Sequence, residues 1–372
     1  MRRPTFVAVL VTAVLVAGAG VGVGIALSSG APGSSSSPTT SASSTSSSDS
    51  SSAAPSASQA AATPVAINGQ LHVCGTHLCN QFDKPIQLRG MSTHGLQWFP
   101  QCYGSTALDT LADDWRADVL RLAMYVDADG YVTNPDGLTT RVENLVDETE
   151  RRGMYAIVDF HTLDPGDPNL HTQDAKTFFG EVAPRFADKK NVIYEITNEP
   201  NGVSWEQIHT YADQVIPVIR AADPDAVIVV GTRGWSSLGV SDGATSAEIV
   251  ADPIDDPNVM YTFHFYAASH GDQYRNEVRT AAATLPIFVT EFGTVTYSGD
   301  GTVDLTSTTT WLDLLDELKI SYVNWTFSDA DETSAALKRG SCTSSQFGPD
   351  QLSQSGQFIR ARISTPDDFP TS

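Results

Sequence analysis

Short apolar runs rich in β-branched residues alternate with amphipathic segments of helical length from about residue 64 to the C-terminus. Several helical segments end at Gly or Pro, such as Gly153 and Pro224. Eight runs predict buried strands, at residues 86–90, 119–125, 155–161, 192–200, 227–232, 259–266, 287–294 and 322–327. This alternation predicts an α/β fold of the (β/α)8 TIM barrel type. An open doubly wound sheet would need a Gly-rich phosphate loop after an early strand, and the sequence has none.

Three segments differ in composition. Residues 1–27 carry a basic pair and then an uncharged apolar run, which predicts a signal peptide or a membrane anchor. An Ala-Gly-Ala sequence within the run favours cleavage, and hence a secreted protein; an uncleaved anchor would tether the protein to the cell surface. Residues 28–63, rich in Ser, Thr, Ala and Pro, predict a disordered linker. Residues 64–372 form the predicted barrel, with a hairpin at 71–88 that covers its bottom.

The net charge of −22 narrows the possible partners. Nucleic acid and anionic membranes attract clustered positive charge, so neither is expected to bind. A neutral substrate is compatible with this charge. The sequence carries no strong motif for a metal or an organic cofactor, and it implies no protein partner, so we expect a cofactor-free monomer.

The cysteines are Cys74, Cys79, Cys102 and Cys342, and they permit three disulfide connectivities. The export signal makes pairing the expected state. Cys74 and Cys79 flank a tight hairpin and could be cross-linked, which would leave Cys102 to pair with Cys342. A metal site is the alternative, but the sequence contains no CxxC pair.

Polar residues gather where the predicted strands end, which in such a barrel is the rim that carries the chemistry. They are Arg121, Tyr125, Asp159, His161, Asn198, Glu199, His264, Tyr266, Glu291, Asn324 and Trp325. Any one of them alone is more often a satisfied structural group. Two glutamates at the ends of strands four and seven, however, face each other across the barrel mouth. That arrangement suits glycoside hydrolysis, in which one carboxyl protonates the leaving oxygen and the other attacks the anomeric carbon.

Seven segments resemble a known family. They are RGMSTHGLQWF, RLAMY, GMYAIVDFH, VIYEITNEPNG, VMYTFHFYAASHG, IFVTEFGT and YVNWTFSD. Together they resemble glycoside hydrolase family 5, specifically its bacterial endo-β-1,4-glucanases, the cellulases. The similarity covers residues 68–338, and the N-E-P and T-E-F-G contexts are its most specific parts.

The resemblance implies residue roles. Glu199 would be the acid/base and Glu291 the nucleophile of a retaining mechanism on a β-glucan polysaccharide or oligosaccharide. Arg121 and Tyr266 would donate hydrogen bonds to Glu291, which favours its ionised form. Asn198 would bind the 2-hydroxyl of the cleaved sugar, and Trp325 would lie beneath that ring.

Further binding residues follow from the same resemblance. They are His94, Trp98, Tyr125, His161, Trp235 and His264. The alternative for Trp98 and Trp235 is core packing. This chain departs from many relatives in having Phe160 and Phe292 in place of Trp. It also has Ala330 where many carry a Lys that contacts a distal sugar, although Glu332 is retained.

Other functions stay open at this point. A β-mannanase or a mixed-linkage β-glucanase would use the same two carboxylates, because the subsites decide the substrate. A non-catalytic carbohydrate-binding surface protein would be expected to lack one of the glutamates, and both are present. A metal-dependent hydrolase would need an HxH pair near strand one, where the sequence reads QLRGMSTH.

The fourth run holds a second glutamate, Glu195, in VIYEITNEPNG. A spacing of four places Glu195 and Glu199 on the same side of a regular strand. Glu195 would lie about 13 Å below Glu199, where a barrel is filled with side chains. We therefore expect Glu195 to be a buried structural carboxylate, paired with an inward arginine such as Arg89.

Overall fold

The computed structural model describes residues 62–372. The strands are β1 (His72–Cys74), β2 (His77–Cys79), β3 (Arg89–Ser92), β4 (Val119–Tyr125), β5 (Tyr155–His161), β6 (Val192–Glu195), β7 (Val227–Val230), β8 (Val259–Tyr266), β9 (Ile287–Gly293) and β10 (Tyr322–Asn324). The predicted leader, 1–27, and nearly all of the predicted linker, 28–63, lie outside the described residues. No helix within residues 62–372 combines the length and apolar character that a membrane span needs.

Helices fill the connections between the strands. They are α1 (Pro64–Asn68), α2 (Ser105–Asp109), α3 (Pro135–Arg151), α4 (Thr172–Phe186), α5 (Trp205–Arg220), α6 (Arg233–Ser236), α7 (Ala247–Ala251), α8 (Asp272–Ala281), α9 (Leu305–Glu317), α10 (Ser341–Ser344) and α11 (Gln354–Ile363). Several of the long ones begin at a side-chain cap: Ser204 forms a capping box with Gln207 at the start of α5. Short 3-10 or π turns occur at Pro100–Tyr103, Thr110–Asp114, Pro168–His171, Val240–Asp242 and Pro349–Gln351.

Strands β3 to β10 form a closed parallel barrel in which β10 pairs with both β3 and β9. The predicted (β/α)8 barrel is therefore confirmed, and β4, β5 and β8 span the predicted residues. The fourth barrel strand ends at Glu195 rather than at residue 200, because the chain leaves the ladder where Asn198 and Glu199 make side-chain contacts in the cleft. The first barrel strand begins three residues later than predicted, at Arg89.

Alternation along each strand divides the side chains between two places. In β5, Val158 and Phe160 point outward into the layer between barrel and helices. Tyr155 and Ile157 point inward and pack in the lower half of the barrel. The next inward position in β5 is Asp159, so an apolar plug supports a polar upper layer.

The β1–β2 hairpin closes the bottom of the barrel, as predicted. Leu71 and Leu78 pack against the inward residues of the barrel strands. The Val73 N–H donates to Asn258 Oδ1 at 2.7 Å, and the Tyr155 hydroxyl donates to the Gly69 carbonyl at 2.7 Å. The hairpin is thus fixed to the barrel by both apolar packing and hydrogen bonds.

All four cysteines form disulfides. Cys74 is joined to Cys79 within the hairpin, and Cys102 is joined to Cys342 over a separation of 240 residues. This is the pairing that the hairpin suggested, and it leaves no thiol for the alternative of a metal site. The second bond links the loop after the first barrel strand to the region after the last one.

Candidate active site

A cleft with a cavity volume of about 650 Å³ opens at the carboxyl ends of the barrel strands. Most of the predicted site residues line it: His94, Tyr125, His161, Asn198, Glu199, Trp235, His264, Tyr266, Glu291 and Trp325. Two predicted residues lie next to the cavity instead of in its wall. Arg121 is fully buried beneath it, and the Trp98 ring packs 4.8 Å from the Tyr125 ring at the rim.

The two glutamates predicted to be catalytic lie close together. One oxygen of Glu199, one oxygen of Glu291 and one ring nitrogen of His264 all lie within 4.8 Å of one another. Two carboxyl groups at this distance can act on the same bond of one substrate. The spacing therefore favours reactions in which both carboxyl groups contact the two atoms of one bond.

Two donors hold Glu291 in place. The Tyr266 hydroxyl donates to Oε1 at 2.7 Å, and Arg121 Nη1 donates to Oε2 at 3.0 Å. These are the hydrogen bonds that the resemblance implied. Both favour the carboxylate over the acid, as a nucleophile requires.

Arg121 connects the strands beneath the cleft. Its Nε donates to Glu195 Oε2 at 2.6 Å, and its Nη2 donates to Asn198 Oδ1 at 2.6 Å and lies 2.9 Å from Asp159 Oδ2. Although burial acts to lower the pKa of Arg121, the charges of Asp159, Glu195 and Glu291 outweigh burial and raise it. Burial also raises the pKa of Asp159, to about 7, and that of Glu195. One cation therefore contacts a set of carboxyl groups, and its charge opposes the rise in the pKa of Asp159 and Glu195 that burial causes.

The predicted pairing of Glu195 with Arg89 is wrong. Glu195 is buried, as expected, but the arginine that reaches it is Arg121. Arg89 lies at the start of β3, at the bottom of the barrel. There it donates to the Thr365 carbonyl at 2.8 Å and pairs with Asp367 in the C-terminal segment.

The tautomer of His161 follows from its neighbours. Nδ1 lies 2.7 Å from Asp159 Oδ2, so it carries the ring hydrogen and donates a hydrogen bond to that carboxylate. Nε2 is then an acceptor for the Asn198 amide at 3.2 Å. Burial, reinforced by the charge of Arg121, lowers the pKa of His161 well below its usual value. A neutral His161 thus orients the amide expected to bind the 2-hydroxyl of the sugar.

A second chain of hydrogen bonds determines the protonation state of Glu199. The Thr290 hydroxyl donates to Glu195 Oε1 at 2.6 Å, so it must accept the hydrogen of His264 Nε2 at 3.0 Å. His264 Nδ1 then presents a lone pair to Glu199 Oε1, 2.9 Å away, which requires Glu199 to be the donor. Burial lowers the pKa of His264 to about 4 and raises that of Glu199 to about 8. Glu199 is therefore a protonated acid at neutral pH.

The core-packing alternative for two tryptophans is wrong. Trp98 is 41% exposed and Trp235 is 45% exposed. Trp235 has a φ of 57°, in the left-handed region, and its N–H donates to the Pro200 carbonyl at 3.0 Å. A left-handed non-glycine residue costs on the order of 1–3 kcal/mol. The strained residue, Trp235, is one whose indole lies in the wall of the cleft.

The departures from many relatives fall in two places. Phe160 and Phe292 are fully buried in the layer between barrel and helices. Ala330 is nearly buried, whereas Glu332 lines the cleft with its Oε2 3.7 Å from His94 Nε2. The first departure therefore affects packing, and the second lies outside the residues that line the cleft.

Several residues of the site were not among those predicted to take part in binding or catalysis. Asp159, Glu195 and Thr290 lie below the cleft, and their signal was a polar residue at an inward position of a buried strand. Others stand in the cleft wall on loops, where periodicity gives no signal. These are Leu163, Ser241, His270, Tyr274, Tyr297, Ser298 and Gly299.

The cellulase family, glycosyl hydrolase family 5, matches residues 79–331. This chain belongs to that family. The family 5 cellulase is 64% identical to endoglucanase CelA of Streptomyces lividans over 314 residues, which are 84% of this chain and 68% of the relative. It is 53% identical to endoglucanase E-5 of Thermobifida fusca over 302 residues, 81% of this chain and 65% of the relative. The cellulase thus spans about two thirds of the length of these relatives.

Solved structures agree with the fold of this cellulase. The catalytic domain of Thermobifida fusca endoglucanase Cel5A superposes with a TM-score of 0.81 at 53% identity, over 82% of this chain and 100% of that one. A variant of that domain in complex with cellotetraose gives the same values. The predictions of family 5 membership, of its barrel and of an endoglucanase catalytic domain are confirmed by these matches.

The protonation of Glu199 predicts the pH dependence of the cellulase. Its acid form is lost as the pH rises through about 8, so kcat/KM on cellotetraose should fall about tenfold per pH unit above that value. A 2,4-dinitrophenyl β-cellobioside needs no proton on its leaving group, and for this substrate the alkaline decline in the glycosylation step should be absent. Initial rates between pH 5 and 10 test both statements. An identical decline for the two substrates would contradict the assignment of the acid.

Proposed function

We propose that residues 62–372 form a retaining endo-β-1,4-glucanase domain that acts on neutral β-glucan chains. The observation that carries this proposal is the distance of at most 4.8 Å between an oxygen of Glu199 and one of Glu291. Retaining glycosidases place their carboxyl groups about 5–5.5 Å apart, whereas inverting enzymes leave about 6.5–9.5 Å for a water molecule. The short distance supports direct attack by one carboxylate.

In the first step the Glu291 carboxylate attacks the anomeric carbon, and the bond from this carbon to the leaving oxygen breaks. Glu199 gives its proton to that oxygen, and a covalent glycosyl–enzyme forms. Tyr266 and Arg121 hold Glu291 at the angle for attack. Asn198, oriented by Arg121 and His161, is placed to bind the 2-hydroxyl as charge develops on the ring.

In the second step Glu199, now a carboxylate, takes a proton from water, and the water oxygen attacks the anomeric carbon. The bond to Glu291 breaks, and the product keeps the β configuration. His264 accepts a hydrogen bond from Glu199 in the acid form. Because burial raises the pKa of Glu199, its carboxylate is a strong enough base to activate water.

The lining of the cleft favours an uncharged polysaccharide. Three carboxyl side chains line it, those of Glu199, Glu291 and Glu332, and the chain carries a net charge of −22. Aromatic rings such as Trp325 and Trp235 offer flat apolar surfaces on which sugar rings stack. The cellotetraose held by a variant of the similar Thermobifida fusca domain supports a β-1,4-glucan in this role.

Three assays test the proposal. Proton NMR of the first products from cellotetraose should show the β-anomer before mutarotation, and an initial α-anomer would contradict the retaining mechanism. On a panel of swollen cellulose, barley mixed-linkage glucan and mannan, we expect activity on cellulose; activity on mannan alone would favour a β-mannanase. Hydrolysis of carboxymethylcellulose should rise when salt is increased from about 0.01 to 0.15 M, because screening weakens the repulsion between like charges.

We also propose that the protein is exported and acts as a monomer. The apolar N-terminal run of the sequence supports export, and so do the two disulfides, which persist in oxidising compartments. Mass spectrometry of protein from the culture medium would locate the first residue of the mature chain. Retention of the full-length chain in the membrane fraction would instead favour the tethered form.

A further inference from the structure

Thr290 precedes Glu291 in β9, and its side chain is fully buried beneath the cleft. Between paired positions, β9 has one residue more than its neighbour β8, because Thr262 and His264 pair with Phe288 and Glu291. The register against β10 shifts in the same stretch. An extra residue of this kind redirects the side chains that follow it. Thr290 and Glu291 therefore both contact groups inside the barrel, although they are adjacent in the strand.

The Thr290 hydroxyl lies between a buried carboxylate and a buried imidazole. It is 2.6 Å from Glu195 Oε1 and 3.0 Å from His264 Nε2. Glu195 Oε2 accepts a hydrogen bond from Arg121 Nε at 2.6 Å, and the Thr262 hydroxyl donates to Oε1 at 3.3 Å. These donors favour the carboxylate form of Glu195, and a carboxylate can only accept. The single hydrogen of the Thr290 hydroxyl is therefore used on Glu195.

This hydroxyl fixes the position of the hydrogen on His264. An oxygen that has given its hydrogen to Glu195 can only accept from Nε2, so the neutral ring carries its hydrogen on Nε2 and a lone pair on Nδ1. Nδ1 faces Glu199 Oε1 at 2.9 Å. The acid form of Glu199 donates to this lone pair, whereas the carboxylate form would face it with no hydrogen between them. Thr290 thus favours the acid form of Glu199 through His264.

Two sets of titratable groups face Glu199 and His264. The first set, whose charges act on the pKa of one or the other, consists of Arg121, Asp159, His161, Glu195 and Glu291. The second set consists of Tyr125, Tyr266 and His270. Burial raises the pKa of the two tyrosines well above its usual value and lowers that of His270 to about 4, so all three are neutral over most of the range in which the enzyme is assayed. Replacing Thr290 by an uncharged residue removes a hydroxyl and adds no charge to either set.

On the assumption that Glu199 is the acid of the proposed function, we infer that Thr290 is a positioning residue for this reaction. Its hydroxyl, directed by Glu195, holds His264 in the tautomer that keeps a proton on the acid before the first step. Once Glu199 has given up this proton, the same lone pair faces a carboxylate, which strengthens it as the base of the second step. Glu195 also holds the arginine that donates to Glu291. One buried carboxylate thus positions both glutamates of the proposed mechanism.

Thr290→Val removes the hydroxyl and keeps the shape of the side chain. His264 Nε2 then loses its acceptor, and Glu195 Oε1, at 4.0 Å, is too far away to replace it. The ring hydrogen should move to Nδ1, donate to Glu199 and stabilise its carboxylate. The alkaline decline of kcat/KM on cellotetraose should therefore begin about one to two pH units lower than in the wild type. On 2,4-dinitrophenyl β-cellobioside, which needs no acid, kcat/KM should stay within about twofold of the wild type.

Two further variants separate this role from a role in packing. Thr290→Ser keeps the hydroxyl, so the decline should stay near pH 8. Thr262→Val is the matched control, because Thr262 is equally buried and contacts the same oxygen of Glu195, but its hydroxyl reaches Glu195 and Thr290 rather than His264. It should leave the decline at its wild-type pH.

The position of the ring hydrogen can also be observed directly. Long-range proton–nitrogen NMR correlation spectra of isotope-labelled protein distinguish a ring nitrogen that carries hydrogen from one that does not. The signals of His264 are those that disappear in His264→Gln. We expect the hydrogen on Nε2 in the wild type and on Nδ1 in Thr290→Val. The same spectra show whether each variant is folded.

Three results would overturn the inference: a hydrogen on Nδ1 of His264 in the wild type, an unshifted decline in Thr290→Val, or an equal shift in Thr262→Val. A wild type that cleaves neither substrate would instead contradict the proposed function. In that case the spectra would still test the position of the hydrogen.

Discussion

Glu291→Ala should abolish hydrolysis of β-glucan, with kcat reduced on the order of 10⁵- to 10⁶-fold, the range in which loss of a catalytic nucleophile falls. The carboxylate that the Tyr266 hydroxyl and Arg121 hold toward the cleft is then missing, and no other group takes its place in the first step. Sodium azide should restore part of the activity on 2,4-dinitrophenyl β-cellobioside. The azide enters the space of the lost side chain and attacks the anomeric carbon from that face, so the product should be the α-glycosyl azide.

The stereochemistry of the azide product separates the two glutamates. In Glu199→Ala the nucleophile is intact, azide attacks the glycosyl–enzyme instead, and the expected product is the β-glycosyl azide. Glu317→Ala is the control, because Glu317 is an exposed carboxylate paired with Arg279 on the outside of the barrel. A fully active Glu291→Ala enzyme, or a β-azide from it, would remove Glu291 from the role of nucleophile.

Arg121→Met should destabilise the protein as well as inactivate it. The substitution leaves the buried carboxylates of Asp159, Glu195 and Glu291 without their shared cation, and breaking such a buried pair costs about 3–5 kcal/mol in the free energy of unfolding. The loss should be smaller near pH 4–5 than at pH 7. Burial raises the pKa of Asp159 and of Glu195, and the charge of Arg121 opposes this rise, so without Arg121 lower pH neutralises these two groups in the folded state and relieves the cost. Chemical denaturation at both pH values measures the difference.

Arg279→Met provides the comparison for Arg121. Arg279 forms a two-contact pair with Glu317, but the side chains are 48% and 59% exposed. Water and salt screen such a pair, so its loss should leave the free energy of unfolding almost unchanged. Equal stability of the two variants at pH 7 would contradict the central role of Arg121.

The hydrophobic pattern of the sequence was sufficient to predict the barrel, because burial determines where both its strands and its helices form. The runs in β4, β5 and β8 are buried on both faces almost throughout, so their bounds could be predicted to the residue. The run at 192–200 misled because Ile196 and Thr197 continue the β-branched pattern of its first half. There, hydrogen bonds of Asn198 and Glu199 to side chains of other strands determine the path, and sequence periodicity does not record such contacts.

The meeting of Glu199 and Glu291 in one cleft could be predicted, but not the polar layer beneath them. Arg121 and Glu195 lie on strands separated by β5, and their contact depends on the stagger between strands that the closed barrel imposes. From sequence, Arg89 was an equally good partner for Glu195. Tyr297 had no signal at all, because it belongs to a turn whose shape comes from hydrogen bonds to two neighbouring loops.

The bond between Cys102 and Cys342 makes a covalent ring of the intervening chain. That ring contains seven of the eight barrel strands and both glutamates of the proposed mechanism. A protease that cuts any one exposed loop in it would leave both pieces in a single molecule, still joined across the seam where β10 meets β3. One cut within the ring would therefore release no fragment, and two cuts would be needed to do so.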